Sequence, residues 1–328
     1  MRILITGATG FIGGRLALAA AAAGHQPRGF SLVNGPLQAE TARRLERAGM
    51  PLLIGSVDDA AELDAAVADI EVVIHLAAAQ HEADQPDSFF RKVNVDGSLA
   101  VFRAARRAGV RRFVYGSTIG VYGQGAAATL DETSKPDPDN AYGRSKLEAE
   151  SALLAEAAPP ELVICRIGEA YGPGDGRLVK IFKAVKKGLP CRVGKGANLH
   201  QPIHVEDLNQ GLLAAASRPG IAGERFLLPG PSVVDSRVMI DEIAAAMHKK
   251  PPPALPMLPF KLAAIAMEAT MPKLGLKPPL HRRRLDFFTK NLVFDLQKSK
   301  QQLGFEPNID YARGIRETCD WYRANGVV

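Results

Sequence analysis

The sequence has little cysteine and no long apolar run. Its three cysteines, Cys165, Cys191 and Cys319, show no CxxC spacing, which argues against a disulfide framework and favours a reducing cytoplasm. No stretch of about 18 uninterrupted apolar residues occurs, so no membrane-spanning helix is predicted. The apolar N-terminal segment is broken at residues 6–10, so it is not predicted to be a signal peptide.

The sequence also lacks the patterns of metal and nucleic-acid sites. His75, His81 and His204 are widely separated, so no metal site is predicted. No aromatic-plus-basic motif or helix-turn-helix pattern occurs, so nucleic acid is not expected as a partner. The net charge of +6 is partly local, with four lysines within 180–187 and three arginines at 282–284. Such runs are typical of solvated faces, or of a surface that attracts an anionic substrate, cofactor or lipid.

Short apolar runs alternate with helical patterns through the first half of the chain. The runs at 2–6, 51–55, 71–77, 111–117 and 161–172 are continuously apolar, as expected of strands covered on both faces by helices. A weaker strand at 25–31 contains Pro27 and Gly29. We predict an α/β, Rossmann-type doubly wound parallel sheet.

The regular alternation of apolar runs and helical patterns ends after residue 174. We predict a discontinuous division, with 1–173 plus 201–228 forming an NAD(P)-binding domain and 174–200 plus 229–328 a smaller substrate domain. The final helix, at about 310–325, could pack on either. An apolar, Met-bearing stretch at 255–276 is interpreted as core of the small domain, as cover for a lipophilic substrate, or as a peripheral membrane contact.

A glycine motif follows the first predicted strand and opens the first predicted helix. Gly7, Gly10 and Gly13 allow a tight turn, a close approach of backbone to a pyrophosphate, and close helix–strand packing. The free N–H groups at the helix N-terminus then favour an anion. This context predicts dinucleotide binding.

The residue at the end of the second strand informs the choice of cofactor. An acid there would bind the adenosine ribose of NAD, but the position holds Ser31, and no acid follows until Glu40. The expected cofactor is NADP(H) or NAD(H), with a weak preference for NADP(H).

Tyr142 and Lys146 lie four residues apart in a predicted helix and so share one face. An ammonium about 4 Å from a phenolate stabilises the phenolate by about 4 kcal/mol at an effective dielectric of about 20. This energy equals about 3 pKa units. It would lower the pKa of the Tyr142 phenol to near neutral pH, where general acid–base catalysis is efficient.

Several motifs, in order along the whole chain, resemble the extended branch of the short-chain dehydrogenase/reductase superfamily. They are GATGFIGG at 7–14, HLAA at 75–78, NVDGS at 94–98, STIGVYG at 117–123, YGRSK at 142–146, YGPGD at 171–175, HVEDL at 204–208 and LGFEP at 303–307. The resemblance implies Tyr142 as acid/base, Lys146 as its tuning partner and ligand of the nicotinamide ribose, and Thr118 as the hydroxyl that binds the substrate oxygen. It implies packing roles for His75 and His204.

The resemblance also implies the other binding residues. The expected cofactor contacts are Gly7, Thr9, Gly10, Phe11, Ile12, Gly13, Ser31, Ser56, Val57, Leu76, Ala77, Ala78, Asn94, Ser117, Tyr142, Lys146 and Ile167. The expected substrate contacts are Gln80, His81, Thr118, Glu169 and His200. A homodimer through the helices at 94–107 and 140–157 is likewise implied.

Departures from the family pattern bear on the substrate. Nucleotide-sugar enzymes of this branch carry an Asn where this chain has Glu169, and an Arg in the slot that holds His200; Ser56 replaces a common Asp near the adenine. The tail from residue 287 resembles the 3β-hydroxysteroid and sterol-4-carboxylate dehydrogenase group. The expected reaction is hydride transfer between nicotinamide and a hydrophobic secondary alcohol or ketone, such as a sterol-like or long-chain compound.

Two other functions stay open. One is a nucleotide-sugar epimerase, with dehydration disfavoured because Ile119 and Gly120, rather than an acidic pair, follow Thr118. The other is a non-catalytic NAD(P)-binding sensor or assembly protein, although such relatives tend to lose the Tyr or the Lys.

Overall fold

The computed structural model describes residues 1–80, 85–124, 128–156, 158–271, 276 and 288–328. These residues form two compact units, of which the first comprises Met1–Ala170, Ile203–Pro231 and Phe294–Asn308. The second comprises Tyr171–Pro202, Ser232–Val293 and Ile309–Val328. No helix in the described part of the chain combines the length and hydrophobicity that a transmembrane span requires.

The first unit is built on a seven-stranded sheet in which every strand pair is parallel. Its strands are β1 (Arg2–Thr6), β2 (Gln26–Ser31), β3 (Leu52–Ile54), β4 (Val72–His75), β5 (Arg112–Thr118), β6 (Glu161–Ile167) and β11 (Arg225–Leu228). They are arranged in the order β3-β2-β1-β4-β5-β6-β11. The predicted α/β doubly wound sheet is confirmed.

Helices cover both faces of this sheet. They are α1 (Phe11–Ala22), α2 (Pro36–Arg47), α3 (Ala60–Val67), α4 (Asp87–Arg91), α5 (Gly97–Arg107), α6 (Ala141–Ala155) and α8 (Val205–Ser217). Two separate apolar clusters result, one containing Ile3 and Leu212 and the other containing Leu4 and Phe102. The alternation of Ile3 and Leu4 between the clusters follows from the two-residue period of a strand and explains why β1 reads as continuously apolar.

Three short helical segments also belong to the first unit. They are a π-helical turn at Lys92–Asp96, a 3-10 turn at Ile119–Tyr122 and a second π-helical turn at Ser299–Leu303. Leu303 and Phe305 are buried in the core of the sheet. Residues 294–308 therefore group with the first unit, whereas the sequence division assigned them to the substrate domain.

The second unit holds most of the remaining elements and a core of its own. Its helices are α7 (Val179–Lys186), α9 (Ser236–Ala246), α10 (Met257–Thr270) and α11 (Tyr311–Ala324). The short strands outside the main sheet are β7 (Ala170–Tyr171), β8 (Arg192–Val193), β9 (Leu199–His200), β10 (Ile203–His204), β12 (Val234–Asp235) and β13 (Ala254–Leu255). Phe182, Ile243 and Tyr322 form part of the second unit's core. That this unit binds substrate stays a prediction.

Candidate active site

The glycine turn between β1 and α1 is fixed by steric limits. Gly7 has φ +70°, and a Cβ on it would lie 2.9 Å from the backbone nitrogen of Ala77. A Cβ on Gly13 would lie 2.3 Å from the carbonyl oxygen of Gly7, so the helix and the turn touch backbone to backbone. Gly10 caps α1, whose first turn contains no acidic residue. The turn therefore offers an uncrowded helix N-terminus to an anion, which fits a dinucleotide pyrophosphate.

The turn after β4 is tied to this loop by hydrogen bonds to Thr6. The backbone N–H groups of Leu76 and Ala77 each donate to Thr6 Oγ1 at 3.2 Å, and Thr6 Oγ1 lies 2.7 Å from His75 Nδ1. The other ring nitrogen of His75, Nε2, lies 3.0 Å from Ser98 Oγ. Burial lowers the pKa of His75 to about 3, so the imidazole is neutral at physiological pH. His75 thus holds the turn in place.

Asn94 connects the same turn to α6. Its Oδ1 accepts from the Ala79 N–H at 2.8 Å, while its Nδ2 donates to the Ala79 carbonyl at 3.0 Å and to Ser145 Oγ at 2.8 Å. The side chain is buried and lies in the π-helical turn. Asn94 therefore fixes the distance between the β4 turn and the helix that carries Tyr142.

An open pocket of about 510 Å³ lies where β2 and β3 end. Leu32 and Ser56 line it together with three acids, Asp58, Asp59 and Glu62. At the last residue of β2, Ser31 Oγ is 2.7 Å from Thr9 Oγ1. No acid lies next to Ser31 along the chain before Glu40, but the fold brings Asp58 and Asp59 from the β3–α3 connection and Glu62 from the first turn of α3.

The two hydroxyls at the end of β5 are engaged differently. Ser117 is buried and donates to Glu150 Oε1 at 2.5 Å. Thr118 is half-buried, and its Oγ1 accepts from the Gly120 N–H at 3.0 Å. Accepting a bond occupies a lone pair of Thr118 Oγ1 and leaves its hydroxyl hydrogen for donation.

Tyr142 and Lys146 lie one turn apart on α6, as their spacing predicts. Asn140 caps the helix by accepting from the Gly143 N–H at 3.0 Å. Tyr142 is half-buried, whereas Lys146 is 1% exposed and its Nζ lies 4.0 Å from the centroid of the Tyr115 ring. Burial lowers the pKa of Lys146 to about 7, and the Glu150 carboxylate opposes this shift. The face of the Tyr115 ring stabilises the Lys146 ammonium, a contact that the sequence did not predict.

A buried ion pair joins α6 to strand β6. Arg166 on β6 donates from Nε to Glu150 Oε1 at 3.0 Å and from Nη2 to Oε2 at 2.7 Å. Its Nη1 also donates to the Tyr122 hydroxyl at 2.6 Å. Glu150 and Arg166 are 2% and 3% exposed. An acid and a base in buried elements have to find partners, but no local sequence pattern indicates which partner each one takes.

The charge of Lys146 should make stability depend on pH. Its pKa is about 7 when folded and 10.5 ordinarily, so between these values the unfolded chain keeps a proton that the folded chain has released. We expect the free energy of unfolding to rise with pH in this window, by at most about 1.4 kcal/mol per pH unit, relative to a Lys146→Met variant. Urea denaturation of both proteins at about pH 7 and about pH 10 measures the difference. Parallel behaviour of the two proteins would contradict it.

The predicted substrate residues fall in different places. Glu169 follows β6 two residues after Ile167, the partner of Thr118 across the sheet, and Gln80 follows the β4 turn. His200 lies in β9 of the second unit, buried, with Nε2 2.8 Å from Asn198 Nδ2. His81 lies outside the described residues. Among those that are described, no three His, Cys, Asp or Glu side chains are grouped to hold a metal ion.

A parallel sheet of this order, a glycine turn after its first strand and a Tyr–Lys pair on a helix beside it together define a Rossmann-type, short-chain dehydrogenase/reductase protein. A model of the NAD dependent epimerase/dehydratase family matches residues 3–228. The chain belongs to this family.

The chain is similar to proteins of more than one activity. It is 30% identical to the decarboxylating sterol-4-alpha-carboxylate 3-dehydrogenase of Schizosaccharomyces pombe, over 76% of this chain and 77% of that protein. It is 27% identical to the UDP-glucose 4-epimerase of Vibrio cholerae, over 97% and 94% of the two chains. The crystal structure of the UDP-glucuronic acid 4-epimerase from Bacillus cereus with NAD has the same fold, with a TM-score of 0.80, 22% identity and 99% coverage of both chains.

Proposed function

We propose that the protein is an NAD(H)-dependent dehydrogenase or ketoreductase acting on a hydrophobic secondary alcohol or ketone. The observation that carries the proposal is the arrangement around α6. Tyr142 lies one turn from a buried Lys146, and the Thr118 hydroxyl at the end of β5 keeps a hydrogen to donate. This set matches the needs of proton transfer at a carbinol oxygen.

Each side chain has a separate task in the proposed reaction. In the direction of oxidation, the Tyr142 phenolate takes the hydroxyl proton while Thr118 holds the substrate oxygen. Lys146 stabilises the phenolate, and Glu150 in turn favours the charged form of Lys146. When bound, the nicotinamide would supply the acceptor for the hydride of the carbinol carbon and, in the reverse direction, the hydride that reduces a ketone. The glycine turn supports binding of the cofactor. Side chains on Gly7 or Gly13 would collide with backbone, so only glycines allow the tight turn that leaves the N-terminus of α1 open to the pyrophosphate.

The substrate class rests on the residues near the end of β6. Glu169 would place a carboxylate where a nucleotide sugar needs a diphosphate contact, and like charges in a cleft repel. The likeness to the sterol dehydrogenase of S. pombe supports a hydrophobic alcohol.

A panel of substrates tests this class. We expect kcat/KM to be at least about 100-fold higher for a 3β-hydroxysterol or a long-chain secondary alcohol than for UDP-glucose, because the wrong class leaves buried polar groups unpaired. Turnover is followed by product analysis rather than by cofactor absorbance, so that epimerisation is also detected. Equal or faster turnover of UDP-glucose would contradict the proposal.

The second candidate, a nucleotide-sugar epimerase, is favoured by the V. cholerae relative, which aligns along almost the whole chain. The two functions share the first hydride transfer. They differ in where the hydride ends up. An epimerase returns the hydride to its substrate and produces no net change in the cofactor.

We further propose a preference for NAD(H), in place of the NADP(H) preference that Ser31 suggested. Asp58, Asp59 and Glu62 line the pocket at the end of β2, and hydrogen bonds from Ser56 and Lys92 lower the pKa of Asp58 and keep it ionised. A 2′-phosphate there would face like charge. We expect at least about tenfold higher kcat/KM for NAD(H), with Asp58→Asn narrowing the gap; a lower KM for NADP(H) in the wild type would refute this.

A further inference from the structure

Helix α10 of the second unit exposes the apolar residues that a surface helix normally buries. Of its 14 residues, only Ala264 is buried. Leu258, Leu262 and Ile265 are 65%, 59% and 45% exposed, and their i, i+4, i+7 spacing places them on one face. This outward face, here called the α10 stripe, is a contiguous apolar surface without a partner in the described part of the chain.

The same unit carries the positive charge of the protein. Over the sequence it has 20 Lys and Arg against 9 Asp and Glu, a net charge of +11, whereas the first unit has 21 against 26, a net charge of −5. Lys249 and Lys250 precede α10, and Lys261 lies on its exposed side. Apolar and basic surface therefore occur together in the second unit.

Strand pairing brings a second basic segment towards the start of α10. β8 pairs in parallel with β13, and Val193 is the partner of Leu255, two residues before the helix begins. A few residues before β8, helix α7 ends in Lys186 and Lys187, followed by Leu189, which is 50% exposed. The lysines of α7 are exposed, since the helix buries Phe182 and Val185 instead.

We infer that the α10 stripe docks on the surface of a bilayer that contains anionic lipid. An exposed apolar face bordered by lysines is what binds the interface between headgroups and acyl chains, and each component strengthens the other. A second copy of this chain would bring a second unit of +11 against the first, so like charges would oppose that contact. A nucleic acid would match the charge but would leave Leu258, Leu262 and Ile265 in water.

Vesicle flotation of the full chain tests this inference. We expect binding to phosphatidylcholine vesicles that contain phosphatidylglycerol, little binding to phosphatidylcholine alone, and release by high salt. Leu262→Ser should weaken the partition at least about tenfold, because a leucine leaves the acyl boundary. The matched control is Leu37→Ser, the same change at a residue that is 70% exposed on α2 of the first unit, which should bind like the wild type.

Three results would overturn the inference. They are an absence of binding to the acidic vesicles, equal binding of Leu262→Ser and the wild type, and a shift of Leu262→Ser from dimer to monomer without any vesicle binding, which would assign the stripe to a second copy. Docking does not depend on the proposed chemistry, so Tyr142→Phe should float with the vesicles as the wild type does. Failure of the one proposal is thereby distinguished from failure of the other.

Discussion

A Tyr142→Phe variant should lose about 10²- to 10⁴-fold in kcat while binding the nicotinamide cofactor almost as tightly as the wild type. The change removes one oxygen from a half-buried position on α6 and leaves the glycine turn, Lys146 and Thr118 in place. Positioned proton transfer contributes rate enhancements of this size. The measurement is steady-state turnover of the best substrate, combined with fluorescence titration of the cofactor.

The matched control removes a hydroxyl from another tyrosine. Tyr311 lies in the core of the second unit, against the ring of Tyr171 at 5.0 Å. Tyr311→Phe should retain kcat within about threefold, since proton transfer of the kind expected of Tyr142 is not assigned to that ring. If Tyr142→Phe were as active as this control, Tyr142 would not be the acid/base.

An Arg166→Met variant should lose about 3–5 kcal/mol of unfolding free energy. The substitution leaves the Glu150 carboxylate buried without its bidentate partner, and removing one member of a buried ion pair carries a cost of this size. The midpoint and slope of urea denaturation give the value directly.

Two further variants make this test specific. Arg225 Nε lies 3.8 Å from Glu150 Oε2, but the Arg225 side chain is 39% exposed. Arg225→Met should therefore lower the free energy of unfolding by less than about 1 kcal/mol. A Glu150→Gln/Arg166→Met double variant should recover part of the loss, because the buried charge is gone. If Arg166→Met and Arg225→Met had equal costs, the pair would not be the support of α6.

The parts of the fold set by local sequence patterns could be predicted from the sequence. The apolar strands, the glycine turn and the four-residue spacing of Tyr142 and Lys146 each follow from a period or a steric need that a short segment contains. The final helix, predicted at about 310–325, agrees closely with its observed bounds, Tyr311–Ala324. Its amphipathic pattern lies entirely within the segment, so no distant contact is needed to recognise it.

Features that depend on distant segments meeting in space could not be predicted in this way. Glu150 on α6 and Arg166 on β6 belong to different elements, and Tyr115 lies on β5, far along the chain from the ammonium that its ring holds. The acids at the end of β2 come from the β3–α3 connection and the first turn of α3, so the residues next to Ser31 in the sequence do not indicate them. Residues 294–308 carry no local sign that Phe305 packs into the core of the sheet.

The most direct test of the proposed function is the stoichiometry of the reaction on its best substrate. Product formed and NADH formed are measured in the same sample, with NAD in excess and the alcohol limiting. A dehydrogenase produces one NADH for each alcohol oxidised, because the hydride stays on the cofactor. We predict equal amounts of the two. Product that accumulates with no net change in nicotinamide absorbance would contradict the proposal and identify an epimerase.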